Sequence, residues 1–277
     1  MNRRIFLGGL GLLSLAATTG CGAAAAAGTG PLRIAASPVP HAEILNRLIE
    51  SGALESGSLD ILEISGDLDP NAILEAGDID ANFFQHVPYA KDWAAQNKVE
   101  NLANVAEVHV EPLGLYSKKI TDLAKVPQGV RLALPNNVTN FARGLFLLQD
   151  AGLIKLDVAP DKASSTQVTE KNVTENPHKI NFTQVDAPQL ARALDDPTIQ
   201  LAVINGNYAL EAGLIPATDA LAIETADQNP YANVLTTLTD KVNDERITKL
   251  AAALTSPELG AWITEKYQGS VIPVKRA

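Results

Sequence analysis

Cysteine is nearly absent: Cys21 is the only one in 277 residues, so no disulfide can form within the chain. Basic residues are in deficit, 22 against 32 acidic, for a formal net charge of −10. Without Arg3 and Arg4, which precede Cys21, 20 basic and 32 acidic residues remain and the charge is −12. Such a surface argues against nucleic acid and against a polybasic membrane contact. The apolar run near the N-terminus, "IFLGGLGLLSLAA", falls short of the roughly 20 residues of a comfortable membrane span. A Gly-rich phosphate loop and a Gly-x-Ser-x-Gly elbow are both missing, which removes two common frames for catalysis. His41, His86, His109 and Glu111 could in principle gather around a metal, yet no two of them have close ligand spacing on one helix. Neither a metal, a cofactor nor an enzymatic activity is expected. Aromatic residues make up only 5% of the chain, and one stretch stands out for that reason. "DIDANFFQHVPYAKDWAAQN", from Asp78, sets Phe83, Phe84, His86, Tyr89 and Trp93 within eleven residues.

The first residues have a definite character. Arg3 and Arg4, the apolar run and the small residues up to Gly20 read as an export signal over residues 1–20. The opening "NRRIFL" also resembles a twin-arginine signal. Cys21, directly after small residues, looks like the acylated cysteine of a bacterial lipoprotein, with Thr18 where an aliphatic residue is usual; a free thiol near a cleavage site is the alternative. The residues behind it, "GAAAAAGTG", read as a flexible tether, placed at 21–30.

A chain of this length with 46% hydrophobic residues can bury one large core or two medium ones. "PLRIAAS" from Pro31 has the form of a buried parallel strand, and "HAEILNRLIESGAL" has helical periodicity. "SLDILEIS" is a second strand, and in "DPNAILEAGDID" Asp69 can cap a short helix that holds Pro70 in its first turn. "DANFF" and "VPYAKDWAAQN" repeat the alternation. Around "EVHVEPLGLYSKKI" the pattern turns extended, as a crossing between two lobes would. A second series follows: strand "GVRLALP", a helix in "NNVTNFARGLFLLQDAGLI" closed by Gly152, strand "KINFTQV", helix "APQLARALDD", strand "IQLAVIN" and helix "NYALEAGL". "NPYANVLTTL" is extended again, and two helices, "DERITKLAAALTS" and "PELGAWITEKYQ", end the series. The order predicts an α/β protein of two lobes joined by two crossings, with residues 31–112 and 232–277 in lobe one and 113–231 in lobe two.

Ligands of open α/β sheets bind beyond the carboxyl ends of the strands, where amides of the following helix face the site. In lobe two, "RLALP" delivers Asn140 and Arg143 to one face of a helix start, a place suited to a carboxylate. An Arg paired with a neighbouring Asp or Glu is the plainer reading of that residue. "LAVIN" ends at Asn205 and the return segment brings Asn233; an amide side chain both donates and accepts, as a zwitterion requires, though each alone also suits a cap or turn. In lobe one Phe83 should face the packed side of its strand, while Phe84, His86 and Tyr89 project near the cleft.

"DANFFQHVPY", "PLGLYSKK", "PNNVTNFARGLFLLQ", "QLARALDD", "AVINGNYALEAGL" and "NPYANVL" form an ordered set that resembles the NlpA/MetQ-type lipoproteins, the methionine-binding components of ABC importers, from about Leu32 to the C-terminus. The resemblance implies a two-lobed periplasmic-binding-protein fold (type II-like) with the ligand in the cleft. It implies methionine as ligand, an ABC permease and ATPase as partners, and a lipid anchor (palmitate among its acyl chains) at the outer face of the cytoplasmic membrane. By matching position, Arg143 and Asn140 would hold the ligand carboxylate, Asn205 and Asn233 its polar end. Phe84, His86 and Tyr89, with Tyr116 nearby, would wall the thioether pocket. Asp67 stands where some members have a tyrosine. A lipoprotein binding another apolar amino acid or a short peptide, or one with an adhesion or signalling role, is the competing expectation.

Overall fold

The computed structural model describes residues 30–64, 68–159, 168–225 and 229–275. The leader, Cys21, the tether up to residue 29, and Asp67 lie outside the described residues. The chain opens with β1 (Leu32–Ala36), α1 (Glu43–Glu50), β2 (Leu59–Glu63), α2 (Pro70–Glu75), β3 (Ala81–His86), α3 (Val87–Asn97) and β4 (Leu102–Val110). There follow β5 (Gly114–Tyr116), β6 (Arg131–Pro135), α4 (Val138–Asp150), β7 (Lys155–Leu156), β8 (Val173–Glu175), β9 (Asn181–Val185), α5 (Leu190–Ala193), β10 (Leu201–Ile204), α6 (Gly206–Glu211), α7 (Pro216–Asp219) and β11 (Ala222–Ile223). The end is β12 (Ala232–Leu238), α8 (Glu245–Leu254), α9 (Pro257–Tyr267) and β13 (Ile272–Pro273).

Two sheets carry the architecture. The first has the order β13-β4-β12-β3-β1-β2, the second β11-β5-β10-β6-β9, and β7 and β8 form a separate hairpin. β1 runs parallel to β2 and β3, as its mostly apolar sequence leads one to expect, whereas β12 is antiparallel to both β3 and β4. The chain passes from the first sheet to the second between β4 and β5 and returns between β11 and β12. This is the two-lobed arrangement that the resemblance implies.

Local chemistry accounts for the helices that matter. The Asp69 carboxylate accepts from the Asn71 and Ala72 amides at 2.9 and 3.2 Å, with Pro70 in the first turn of α2. Asn137 caps α4 by accepting from the Asn140 amide at 3.1 Å. Gly152 closes that helix's end at φ +73°, a conformation glycine adopts without penalty. Residues Thr139 to Leu148 of α4 are all buried, which makes it the central helix of its lobe. One core joins β1 and β3 to α1, α8 and α9 through Leu32, Ile34, Phe83, Ile247 and Ile263. A second packs Phe141, Leu145 and Leu148 of α4 on β6 and β10, and a third lies beneath α5 and α6. The helix expected over "APQLARALDD" is reduced to a single 3-10 turn and the four residues of α5. Among the described residues no helix is long and apolar enough to cross a membrane.

Candidate functional site

The strand ends of the two sheets enclose a cavity of about 620 Å3. Its lobe-one side includes Phe84, His86, Tyr89 and Asn233, its lobe-two side Asn140, Arg143, Asn205 and Tyr208. Alternation along β3 sends Phe83 into the core and leaves Phe84 at the cavity, where its ring meets Tyr89 edge-on at 5.8 Å. The strand behind this wall is fixed by buried amides. Asn71 and Gln85 exchange two hydrogen bonds of 2.8 Å, and Asn82 and Thr236 extend the network.

His86 closes β3 and caps α3. Its Nδ1 accepts from the Tyr89 amide at 3.1 Å, which puts the ring proton on Nε2, and Nε2 donates to Asn140 Oδ1 at 2.9 Å. This bond spans the cleft from lobe one to α4. Burial, and then the Arg143 charge, push the His86 pKa down to about 3, so the imidazole is neutral and joins an otherwise aromatic wall.

Arg143 reaches the cavity and is only 2% exposed. Its Nε and Nη2 donate to the Glu224 carboxylate at 2.6 to 2.9 Å, Nη2 donates also to the Glu111 carbonyl at 2.7 Å, and the guanidinium lies 4.4 Å over the Tyr231 ring. Among the described residues its Nη1 makes no hydrogen bond. The guanidinium is thus pinned along one edge and keeps donors for a cavity ligand along the other. The neighbouring acid that the plainer sequence reading invoked exists, 81 residues away in the chain.

Asn205 precedes α6 without capping it, and its Oδ1 is buried with no partner among the described residues. Such an acceptor costs about 1–3 kcal/mol when left unsatisfied. Asn233 lies on β12 between His86 of β3 and His109 of β4, and its Oδ1 accepts from His41 Nε2 at 3.1 Å. Tyr116 is a correction. It does not line the cavity but lies in the core beneath α5 with Leu190, Leu194 and Ile204, its ring within 2.6 Å of where a Gly114 side chain would start. On a three-residue strand the alternation that turns Leu115 toward α4 turns Tyr116 to the opposite, packed face.

The fold also joins three residues that the sequence leaves apart. His41 and His109 direct Nε2 at the same Glu111 oxygen, at 3.2 and 2.7 Å. The ligand atoms of the three lie within 4.8 Å of one another. Helix spacing could not reveal this, because His41 precedes α1 and His109 and Glu111 come from the end of β4 and the crossing behind it. His86, the fourth candidate, is bound elsewhere. The separations are those of N–H···O bonds, and the second ring nitrogens, which in metal sites donate to a further acceptor, are buried without partners among the described residues. The cluster therefore reads as a carboxylate held by two imidazoles. Glu224 and Tyr231, which secure Arg143, were not singled out from sequence, since neither shares a spacing with it.

The chain matches the NlpA lipoprotein family over residues 32–275. Methionine-binding lipoprotein MetQ of Bacillus subtilis (strain 168) is 35% identical over 276 residues, 98% of this chain and 99% of that one. D-methionine-binding lipoprotein MetQ of Escherichia coli (strain K12) is 39% identical over 203 residues, 73% of each. A nutrient binding protein from Burkholderia cenocepacia, solved bound to methionine, superposes with a TM-score of 0.79 at 34% identity, covering 88% of this chain and 100% of that one.

Proposed function

The chain belongs to the NlpA lipoprotein family, and we propose from that premise that it captures methionine in the cleft and delivers it to an ABC importer. One observation carries the reading. A single cavity joins an aromatic wall, Phe84 and Tyr89 with neutral His86, to a cation and amides at the opposite side, Arg143, Asn140 and Asn205. Those are the two halves of methionine's chemistry. The carboxylate lies at the free edge of Arg143 and at Asn140, in the first turn of α4, where the helix end adds partial positive charge. The polar end reaches Asn205 and Asn233. The thioether lies against the rings, which adds about 0.3–1.5 kcal/mol beyond burial. The bond from His86 to Asn140 lets the lobes meet over the ligand and shed its water.

Cys21 carries the lipid that holds the protein at the outer face of the cytoplasmic membrane, and the cleft binds without catalysing. Calorimetry with methionine, norleucine, methionine sulfoxide, glutamate and arginine tests the ligand. Methionine should bind, norleucine should follow within roughly 200-fold because an apolar pocket separates such neighbours by only about 1–3 kcal/mol, and the sulfoxide should bind worse. Tight binding of glutamate or arginine with none of methionine refutes the reading.

A further inference from the structure

Phe84 is one residue too many for its sheet. On one side β1 pairs with Ala81, Asn82 and Phe83 and ends there. On the other, β12 passes directly from Leu235, opposite Phe83, to Val234, opposite Gln85. The strand therefore bulges at Phe84, a device that re-aims side chains beside functional sites. Its effect is visible at the next residue. Strict alternation would set Asn82 and Gln85 on opposite faces, yet Gln85 Nε2 donates to Asn82 Oδ1 at 3.1 Å.

Both amides close on Asn71, the second residue of α2. Its Oδ1 accepts from Asn82 Nδ2 and from Gln85 Nε2, each at 2.8 Å, and its Nδ2 donates to Gln85 Oε1 at 2.8 Å. Asn82 Nδ2 also holds the Pro70 carbonyl at 3.1 Å, and Gln85 Nε2 reaches Thr236 Oγ1 on β12 at 3.3 Å. Asn71, Asn82 and Thr236 are fully buried and Gln85 is 3% exposed. Hydrocarbon would fill such a space without needing partners. Three amides packed together hold one arrangement, because any shift strands a buried polar group. The two segments they join both line the cavity, Ile64, Leu68 and Pro70 at the approach to α2 and Phe84 on β3. Trp93 Nε1, which donates to Asp69 Oδ2 at 2.8 Å, ties α3 to the same corner.

We propose that this amide network is a specificity device: by clamping the start of α2 to the bulge of β3 it fixes Phe84 and limits the length of side chain that the cavity accepts. Asn71, Asn82 and Gln85 are positioning residues that act through Phe84 without touching the ligand. The inference rests on the methionine reading and adds an upper bound to it. A wall that yields would admit one more methylene at little cost, whereas a clamped wall must be overpacked to do so.

The test is calorimetry with methionine and with ethionine, its S-ethyl homologue, on the parent and on Asn71→Leu/Gln85→Leu, which removes both partners of the central pair together. The parent should prefer methionine by about 10- to 200-fold. In the variant that preference should shrink about tenfold or more, methionine being weakened and ethionine not. A network that only supports the fold would weaken both ligands by one factor and keep the preference, and that result overturns the inference. A parent that binds ethionine as tightly as methionine, or a variant that matches the parent, overturns it too. If the double variant does not fold, Thr236→Val takes its place. It removes one acceptor of Gln85 and leaves only the exposed Asn104, which Thr236 Oγ1 bonds at 2.8 Å, to turn to water. There the preference should shrink about threefold, the worth of one hydrogen bond, and an unchanged preference overturns the inference. A parent that binds neither amino acid overturns the methionine reading itself, and the inference with it.

Discussion

Replacing Arg143 by Ala removes three short hydrogen bonds to Glu224, one to the Glu111 carbonyl and the stacking on Tyr231. Glu224, whose side chain is 12% exposed while Arg143 is in place, keeps the Leu113 amide at 2.9 Å as a remaining donor. Breaking a buried pair from one side costs about 3–5 kcal/mol, and the surviving donor places Glu224 at the lower end, about 3 kcal/mol. For a chain of this size each kcal/mol moves the melting temperature by about 2–4 °C, so Arg143→Ala should melt about 6–12 °C below the parent. Because Glu111 and Leu113 belong to one crossing and Glu224 and Tyr231 to the other, the loss is a loosening of both connections between the lobes. Arg143→Ala/Glu224→Gln should regain about half of the lost stability, since no buried charge is stranded. Methionine affinity should fall roughly 100-fold in both variants, because neither has a cation for the carboxylate. Thermal melts and calorimetry on the same preparations read the two effects separately. Arg143→Ala melting within about 2 °C of the parent would refute the structural half of the argument; normal methionine binding would refute the ligand half.

Acid should destabilise the fold steeply. His41, His86 and His109 take protons only near 4, 3 and 3 in the folded chain against 6.5 when free. The unfolded chain thus binds more protons between those values, and stability falls as pH drops from 6.5, by about 1.4 kcal/mol per pH unit for each histidine at most. Glu111 and Glu211, whose carboxyls are raised by burial, Glu211 to about 7, oppose this in part, because their stabilisation is greatest below the unfolded value and fades as pH rises. Urea midpoints at pH 7, 6 and 5 should decline in that order; a flat or rising series contradicts the assigned protonation. Gly206→Ala should push α6 off Glu111 and weaken methionine binding about tenfold, through an overpacking strain of about 1–3 kcal/mol, read by calorimetry. Cys21→Ala should leave the membrane fraction and keep the parent's ligand affinity; retention on membranes after a salt wash would refute the lipid anchor.

The strands and helices of both lobes were legible in sequence because local signals agreed with the fold. Asp69-Pro70 and Asn137 are helix starts on chemical grounds, and the apolar run of β1 belongs between two parallel neighbours. β13, the β7–β8 hairpin and the truncation of α5 were not legible, since two- and three-residue elements are decided by their partners rather than by their own pattern. In the site, Phe83 against Phe84 followed from strand alternation alone. Tyr116 failed because a strand of three residues offers no way to tell its two faces apart. What stayed hidden were long-range pairs: Glu224 with Arg143 across 81 positions, His41 with Asn233 across 192. No periodicity connects such residues, and only the two crossings between the lobes bring them together.

The most direct test of the whole account is to denature the purified full-length protein and identify by mass spectrometry the small molecule it releases. The account predicts about one equivalent of methionine, removable by dialysis against denaturant and restored on refolding with methionine present. Stoichiometric release of a different molecule, together with failure to take up methionine after refolding, would contradict it.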